Sequence, residues 1–129
     1  MLTGSCLCGG VVFEAGDRIG DPIACHCTQC RRQSGHHFAA VPASGHALRF
    51  LRDDGLTWYR HTATAMRGLC VRCGSSLCWR GAGSEAVMVA MAALDETENL
   101  HLSGHYWVDY KGDYYEIADD LPQYRGDDP

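Results

Sequence analysis

Eight cysteines in a chain of 129 residues, seven of them gathered into three tight groups, constrain this sequence more than any other feature. The groups are Cys6-Leu7-Cys8, Cys25-His26-Cys27-Thr28-Gln29-Cys30 and Cys70-Val71-Arg72-Cys73, with Cys78 standing apart. Met1 to Ser5 runs straight into Cys6 with neither a basic n-region nor an apolar h-region. No signal peptide is expected, and a cytoplasmic, reducing setting follows. Clustered cysteines in that setting point to metal rather than to disulfides. The net charge of −5, from 16 acidic against 11 basic residues, argues against nucleic acid as a partner. No apolar run approaches the ~20 residues of a membrane span, so no membrane partner is expected either.

The rest of the chain reads as mainly β, in one domain over 1–129. Val11–Glu14, Phe38–Val41, Leu48–Leu51, Leu56–Arg60, Leu77–Arg80 and Ala86–Ala90 are short apolar or alternating runs, mostly separated by Gly, Pro, Asp or Ser. One short helix is expected from Thr28 to Ser34, capped by Thr28 and stopped by Gly35. An acidic C-terminal tail from about residue 119 to Asp127-Asp128-Pro129 is expected to fray at its last few residues.

Cys70-x-x-Cys73-Gly74 has the spacing of a zinc knuckle, but one such pair supplies only half of a tetrahedral site. Cys6 and Cys8 are the natural partners. Residues i and i+2 of an extended segment face the same side, so both sulfurs can meet one ion. The competing reading makes Cys6 and Cys8 plain buried hydrophobes. Cys25-x-Cys27-x-x-Cys30 differs in offering three thiolates, with Cys30 coming round on the first helical turn. His26 should project to the opposite side. Three protein ligands and one open position mark a catalytic zinc. A second structural site completed by His26, His36, His37 or Cys78 is the alternative.

A three-thiolate zinc already carries a net charge of −1 and is a weak Lewis acid toward water. It suits a soft fourth ligand, a substrate thiol, which coordination would hold as thiolate. The reaction class this suggests is thiol addition to an electrophile, or its reversal.

Three motifs carry a family resemblance: Gly4-Ser5-Cys6-Leu7-Cys8-Gly9-Gly10-Val11, Cys25-His26-Cys27-Thr28-Gln29-Cys30-Arg31, and Cys70-Val71-Arg72-Cys73-Gly74-Ser75-Ser76-Leu77. In this order they resemble the glutathione-dependent formaldehyde-activating enzyme family, whose domain is shared with centromere protein V. Leu94-Asp95, His105–Val108 and Glu116–Pro122 look like further family landmarks. The resemblance implies stacked antiparallel sheets in a tent-like zinc-binding fold with two zinc ions per chain. It implies a structural zinc on Cys6, Cys8, Cys70 and Cys73 and a second on Cys25, Cys27 and Cys30. It also implies a carbon–sulfur lyase-type activity that joins glutathione, as co-substrate, to formaldehyde. A small-molecule thiol and an aldehyde are thus the expected partners.

Around these motifs, Cys78 reads as a core residue. His36 or His37 could relay a proton beside the second zinc, and Arg31 and Arg32 could clamp glutathione carboxylates. Trp107, Tyr110, Tyr114 and Tyr115 read as core and sheet surface rather than as a ligand platform. Lys111-Gly112-Asp113-Tyr114-Tyr115 is polar and phenolic where relatives often carry an apolar or Pro-Trp pair. Two other classes of function compete: a zinc-binding interaction module with both sites structural, and a glutathione or zinc carrier without turnover.

Overall fold

The computed structural model describes residues 1–127, so Asp128 and Pro129, at the end of the expected frayed tail, lie outside the described residues. Strands β1 (Leu2–Ser5), β2 (Val11–Gly16) and β3 (Ile23–Cys25) lead into helix α1 (Thr28–Ser34). There follow β4 (Phe38–Ser44), β5 (Arg49–Asp53), β6 (Leu56–Thr62), β7 (Ala65–Cys70), β8 (Ser76–Gly81) and β9 (Ala86–Ala90). The two-residue β10 (His105–Tyr106) comes last, and single 3-10 turns occupy Met91–Ala93 and Val108–Tyr110. The architecture is mostly β with a single helix, as expected.

Two sheets form. The smaller has the order β1-β2-β5 and the larger the order β10-β3-β4-β9-β8-β7-β6. All pairings are antiparallel except β10 against β3. Strand parity divides the larger sheet into two faces. Val41 and Ala43 of β4 and Val87 and Val89 of β9 pack with Val11, Phe13 and Ala15 of β2 in the main core. Phe38, Ala40 and Ala90, on the opposite parity, form a second cluster with Cys30, against which Cys25, Cys27, Trp79 and Met88 pack. The main core therefore glues the sheets together, and the back of the larger sheet is left to build a site.

Helix α1 spans the expected residues, but its N-cap is Cys27 rather than Thr28. Cys27 is extended (φ −64°, ψ 160°), and its Sγ accepts the Cys30 N–H at 3.3 Å. A thiolate placed there serves the helix as a capping oxygen would. Gly35 ends the helix in the left-handed conformation (φ 96°).

Strand β7 was invisible in the sequence because Arg67-Gly68 interrupts its apolar pattern. A Cβ on Gly68 would lie 2.7 Å from Cys78 Sγ and 3.3 Å from the Trp58 ring, so the glycine is a packing requirement. Opposite it, Gly68 pairs with Cys78 and Leu69 with Ser76, leaving Leu77 as a bulge. The bulge resets parity, so Leu77 and Cys78 are both buried in the main core and Trp79 turns to the other face. Up to Asp127 the tail is tied to β10 and the turn after it. Tyr124 donates its N–H to the His105 carbonyl at 2.8 Å, and Trp107 Nε1 donates to Asp127 at 2.5 Å.

Candidate metal centres

The first cysteine group lies where the two sheets meet at one end. Cys6 and Cys8 come from the β1–β2 turn of the smaller sheet, and Cys70 and Cys73 from the end of β7 and the turn after it. Their four sulfurs lie within 4.8 Å of one another. Cys6 Sγ to Cys8 Sγ is 3.6 Å and Cys8 Sγ to Cys70 Sγ is 3.8 Å. A tetrahedral zinc with Zn–S of about 2.3 Å requires sulfur–sulfur edges of roughly 3.8 Å, so the set fits. Gly74 adopts φ 81° just past Cys73 and donates its N–H to the Cys70 carbonyl at 2.7 Å. Ser75 Oγ accepts the Leu7 N–H at 2.9 Å and lies 3.2 Å from Cys73 Sγ. With its lone pair so engaged, the hydroxyl donates to the sulfur and holds the Cys73 thiol down to about 5. Ser75 thereby ties the Cys8 loop to the Cys73 turn.

The second group lies on the back of the larger sheet. Cys25 ends β3, Cys27 caps α1 and Cys30 sits in its first turn, and their sulfurs also lie within 4.8 Å of one another. Among the described residues no His, Cys, Asp or Glu adds a fourth ligand atom to this group. Three thiols this close cannot all ionise unaided. The Cys25 and Cys30 thiols bonded to Cys27 hold it far below the ordinary thiol range, while Cys27 and Cys30 push Cys25 up. A divalent cation relieves that conflict, and the soft sulfur set is suited to zinc.

Arg67 of β7, which sequence reasoning passed over, decides the electrostatics. It is 2% exposed, donates Nη2–H to Cys30 Sγ at 3.4 Å and lies over the Phe38 ring at 5.9 Å. No carboxylate pairs with it among the described residues. A buried guanidinium needs an anionic partner, and the thiolate cluster is the one present. Arg67 faces Trp79, which faces Met88, across β7, β8 and β9; Cys25 faces Phe38 across β3 and β4. This ladder floors a cavity of about 660 Å³ that opens over the three sulfurs, with Trp107 and Tyr110 among its other lining residues. Tyr110 is a surface residue, 52% exposed, and Trp107 is partly buried beside it. Trp107 also has the left-handed backbone (φ 58°, ψ 40°), the one non-glycine with positive φ among the described residues. Such a conformation costs of order 1–3 kcal/mol in a bulky residue.

Arg31, Arg32, His36 and His37 are not among the cavity's lining residues. His36 bonds Tyr114 OH through Nδ1 at 2.6 Å, and the His37 ring lies 5.1 Å from that of His26. Cys78 is a core residue, its thiol pushed up to about 12 by burial. Fully buried His26 anchors a chain on the side away from the sulfurs. His105 Nε2 donates to the Asp119 carboxylate at 2.9 Å, so His105 Nδ1 accepts from His26 Nε2 at 2.9 Å and His26 Nδ1 accepts from Tyr115 OH. Burial holds His26 down to about 4, consistent with its neutral role in this chain. The chain pins residues 105–119 against β3. Replacing His105 by leucine strands a buried His26 N–H and should cost about 1–3 kcal/mol in a urea melt. An unchanged midpoint would mean that the chain carries no such weight.

The family model for glutathione-dependent formaldehyde-activating enzymes matches residues 1–110. The chain belongs to this family. A crystal structure of a Rhodobacter sphaeroides protein from a structural-genomics programme is similar, with 25% identity and a TM-score of 0.66 over 94% of this chain and 98% of that one. No curated protein matches the chain significantly. Membership of the family carries an implication of lyase-type activity and agrees with two candidate cysteine metal sites. No helix among the described residues is long and apolar enough to cross a membrane.

Proposed function

We propose that the protein adds a thiol, glutathione or one like it, to a small aldehyde at the Cys25–Cys27–Cys30 centre. The carrying observation is a three-sulfur set without a fourth protein ligand among the described residues, beside a buried cation and beneath a cavity. The four-sulfur set of Cys6, Cys8, Cys70 and Cys73 would hold a structural zinc. A zinc ion on Cys25, Cys27 and Cys30 would supply a position at which a substrate thiol is held as thiolate. In the addition, sulfur bonds to the aldehyde carbon, the carbonyl π bond opens, and the thiol proton ends on oxygen to give a hemithioacetal, the S-hydroxyalkyl derivative of the thiol.

The chain's own residues prepare that reaction. Arg67 offsets the negative charge of the thiolates and, by its hydrogen bond, fixes the orientation of the Cys30 sulfur. Phe38, Trp79 and Met88 give the cavity an apolar floor that keeps water from the nucleophile. Cys27 braces the helix turn that carries Cys30. The test is the rate of S-(hydroxymethyl)glutathione formation, followed by NMR exchange spectroscopy. A rate above the uncatalysed addition, returning to it in Cys30→Ser, is expected; equal rates with and without protein, for formaldehyde and larger aldehydes alike, would sink the catalytic reading.

A further inference from the structure

Five aromatic rings line the cavity over the three sulfurs: Phe38, Trp79, Tyr106, Trp107 and Tyr110. Formaldehyde is scarcely larger than a water molecule, whose share of liquid volume is about 30 Å³. In a cavity of about 660 Å³ it would leave most of these rings facing solvent. Glutathione does not suit the lining either. It carries two carboxylates and an ammonium, whereas the charged side chains lining the cavity are Arg67 and Asp127. Arg67 is directed to Cys30 Sγ, and Asp127 accepts the Trp107 indole N–H. The charged ends of a peptide thiol are better served outside, which leaves the ring-lined space to the electrophile.

The strained tryptophan carries the point further. Trp107 holds a left-handed backbone, its N–H donates to the Gly126 carbonyl at 3.3 Å, and Asp127 fixes its indole. Its ring sits 5.9 Å from that of Tyr110. Two hydrogen bonds thus hold a large flat side chain at the cavity in a conformation it would not adopt alone, as expected of a residue placed for a ligand.

Resting on the thiol-addition reading above, we infer that the carbonyl substrate is an aromatic aldehyde, its ring packed against Trp107 and Tyr110 and its carbonyl carbon directed to the sulfur centre. The bond changes are those of the addition already given, with the aryl group unchanged. Offset-stacked or edge-to-face contacts with several rings supply the selectivity.

Benzyl alcohol and methanol serve as unreactive probes of the aryl and one-carbon substrates. Two of the three tryptophans line the cavity, so tryptophan fluorescence of the zinc-loaded protein reports occupancy. Benzyl alcohol should saturate the signal while methanol at the same concentration leaves it unchanged. Trp107→Ala should weaken benzyl alcohol by about tenfold with the zinc count unaltered. Tyr110→Ala, at a half-exposed position, keeps the test decisive if Trp107→Ala does not fold. With glutathione present, benzaldehyde should show a larger ratio of catalysed to uncatalysed rate than formaldehyde. Failure of benzyl alcohol to bind, binding indifferent to both substitutions, or a larger acceleration for formaldehyde would each overturn the inference. Ring-dependent binding with no acceleration of either aldehyde would support the cavity assignment and instead count against thiol addition.

Discussion

Cys70→Ser is expected to leave the chain unfolded, with loss of the cooperative melt, whereas Cys30→Ser is expected to leave a folded domain holding one zinc fewer. The contrast follows from where the two groups lie. Cys70 is fully buried in the main core, and its group joins the β1–β2 turn of one sheet to the β7–β8 turn of the other. A structural zinc contributes an apparent 10–16 kcal/mol in zinc-finger peptides, while a domain of this size is stable by only about 5–15 kcal/mol. Losing one of four ligands at that junction removes enough to unfold it. Cys25, Cys27 and Cys30 lie within six consecutive residues and on the outer face of one sheet, so their ion closes only a short loop. Circular dichroism of the two purified variants checks this. Equal unfolding of both, or a native-like melt for Cys70→Ser, would contradict the division of roles.

Replacing Arg67 by methionine should weaken zinc at the second group by about 10- to 100-fold and leave the first group unchanged, as read by competition with a chromophoric chelator. Methionine preserves the apolar contact with Phe38 but removes the charge and the hydrogen bond to Cys30 Sγ. The substitution tests whether the buried guanidinium is matched to a thiolate cluster. Arg67→Lys should recover part of the loss, since it restores the charge without the planar fork. An unchanged affinity in Arg67→Met would mean that Arg67 serves packing alone.

Both cysteine groups were legible because metal-ligand spacing is local. Cys70-x-x-Cys73 and Cys25-x-Cys27-x-x-Cys30 announce themselves within a few residues, and strand parity correctly sends His26 away from its neighbours. Short runs such as Val11–Glu14 and Ala86–Ala90 gave the strands for the same reason. The cavity was not legible, because its walls are assembled by register. Arg67, Trp79 and Met88 meet only through the pairing of β7, β8 and β9, and the Leu77 bulge that aims Trp79 is invisible without the partner strand. Trp107 was undervalued because its orientation depends on Gly126 and Asp127, about twenty residues further on. Sequence proximity offered Arg31, Arg32, His36 and His37 as groups that could serve the second centre. None of the four is among the residues that line the cavity.

Native mass spectrometry of the freshly purified protein, with and without millimolar glutathione, tests the openness of the second centre most directly. The account predicts two zinc ions per chain and one glutathione adduct, with one zinc and no adduct in Cys30→Ser. Two zinc ions that take up no thiol, or an adduct that survives in Cys30→Ser, would contradict it.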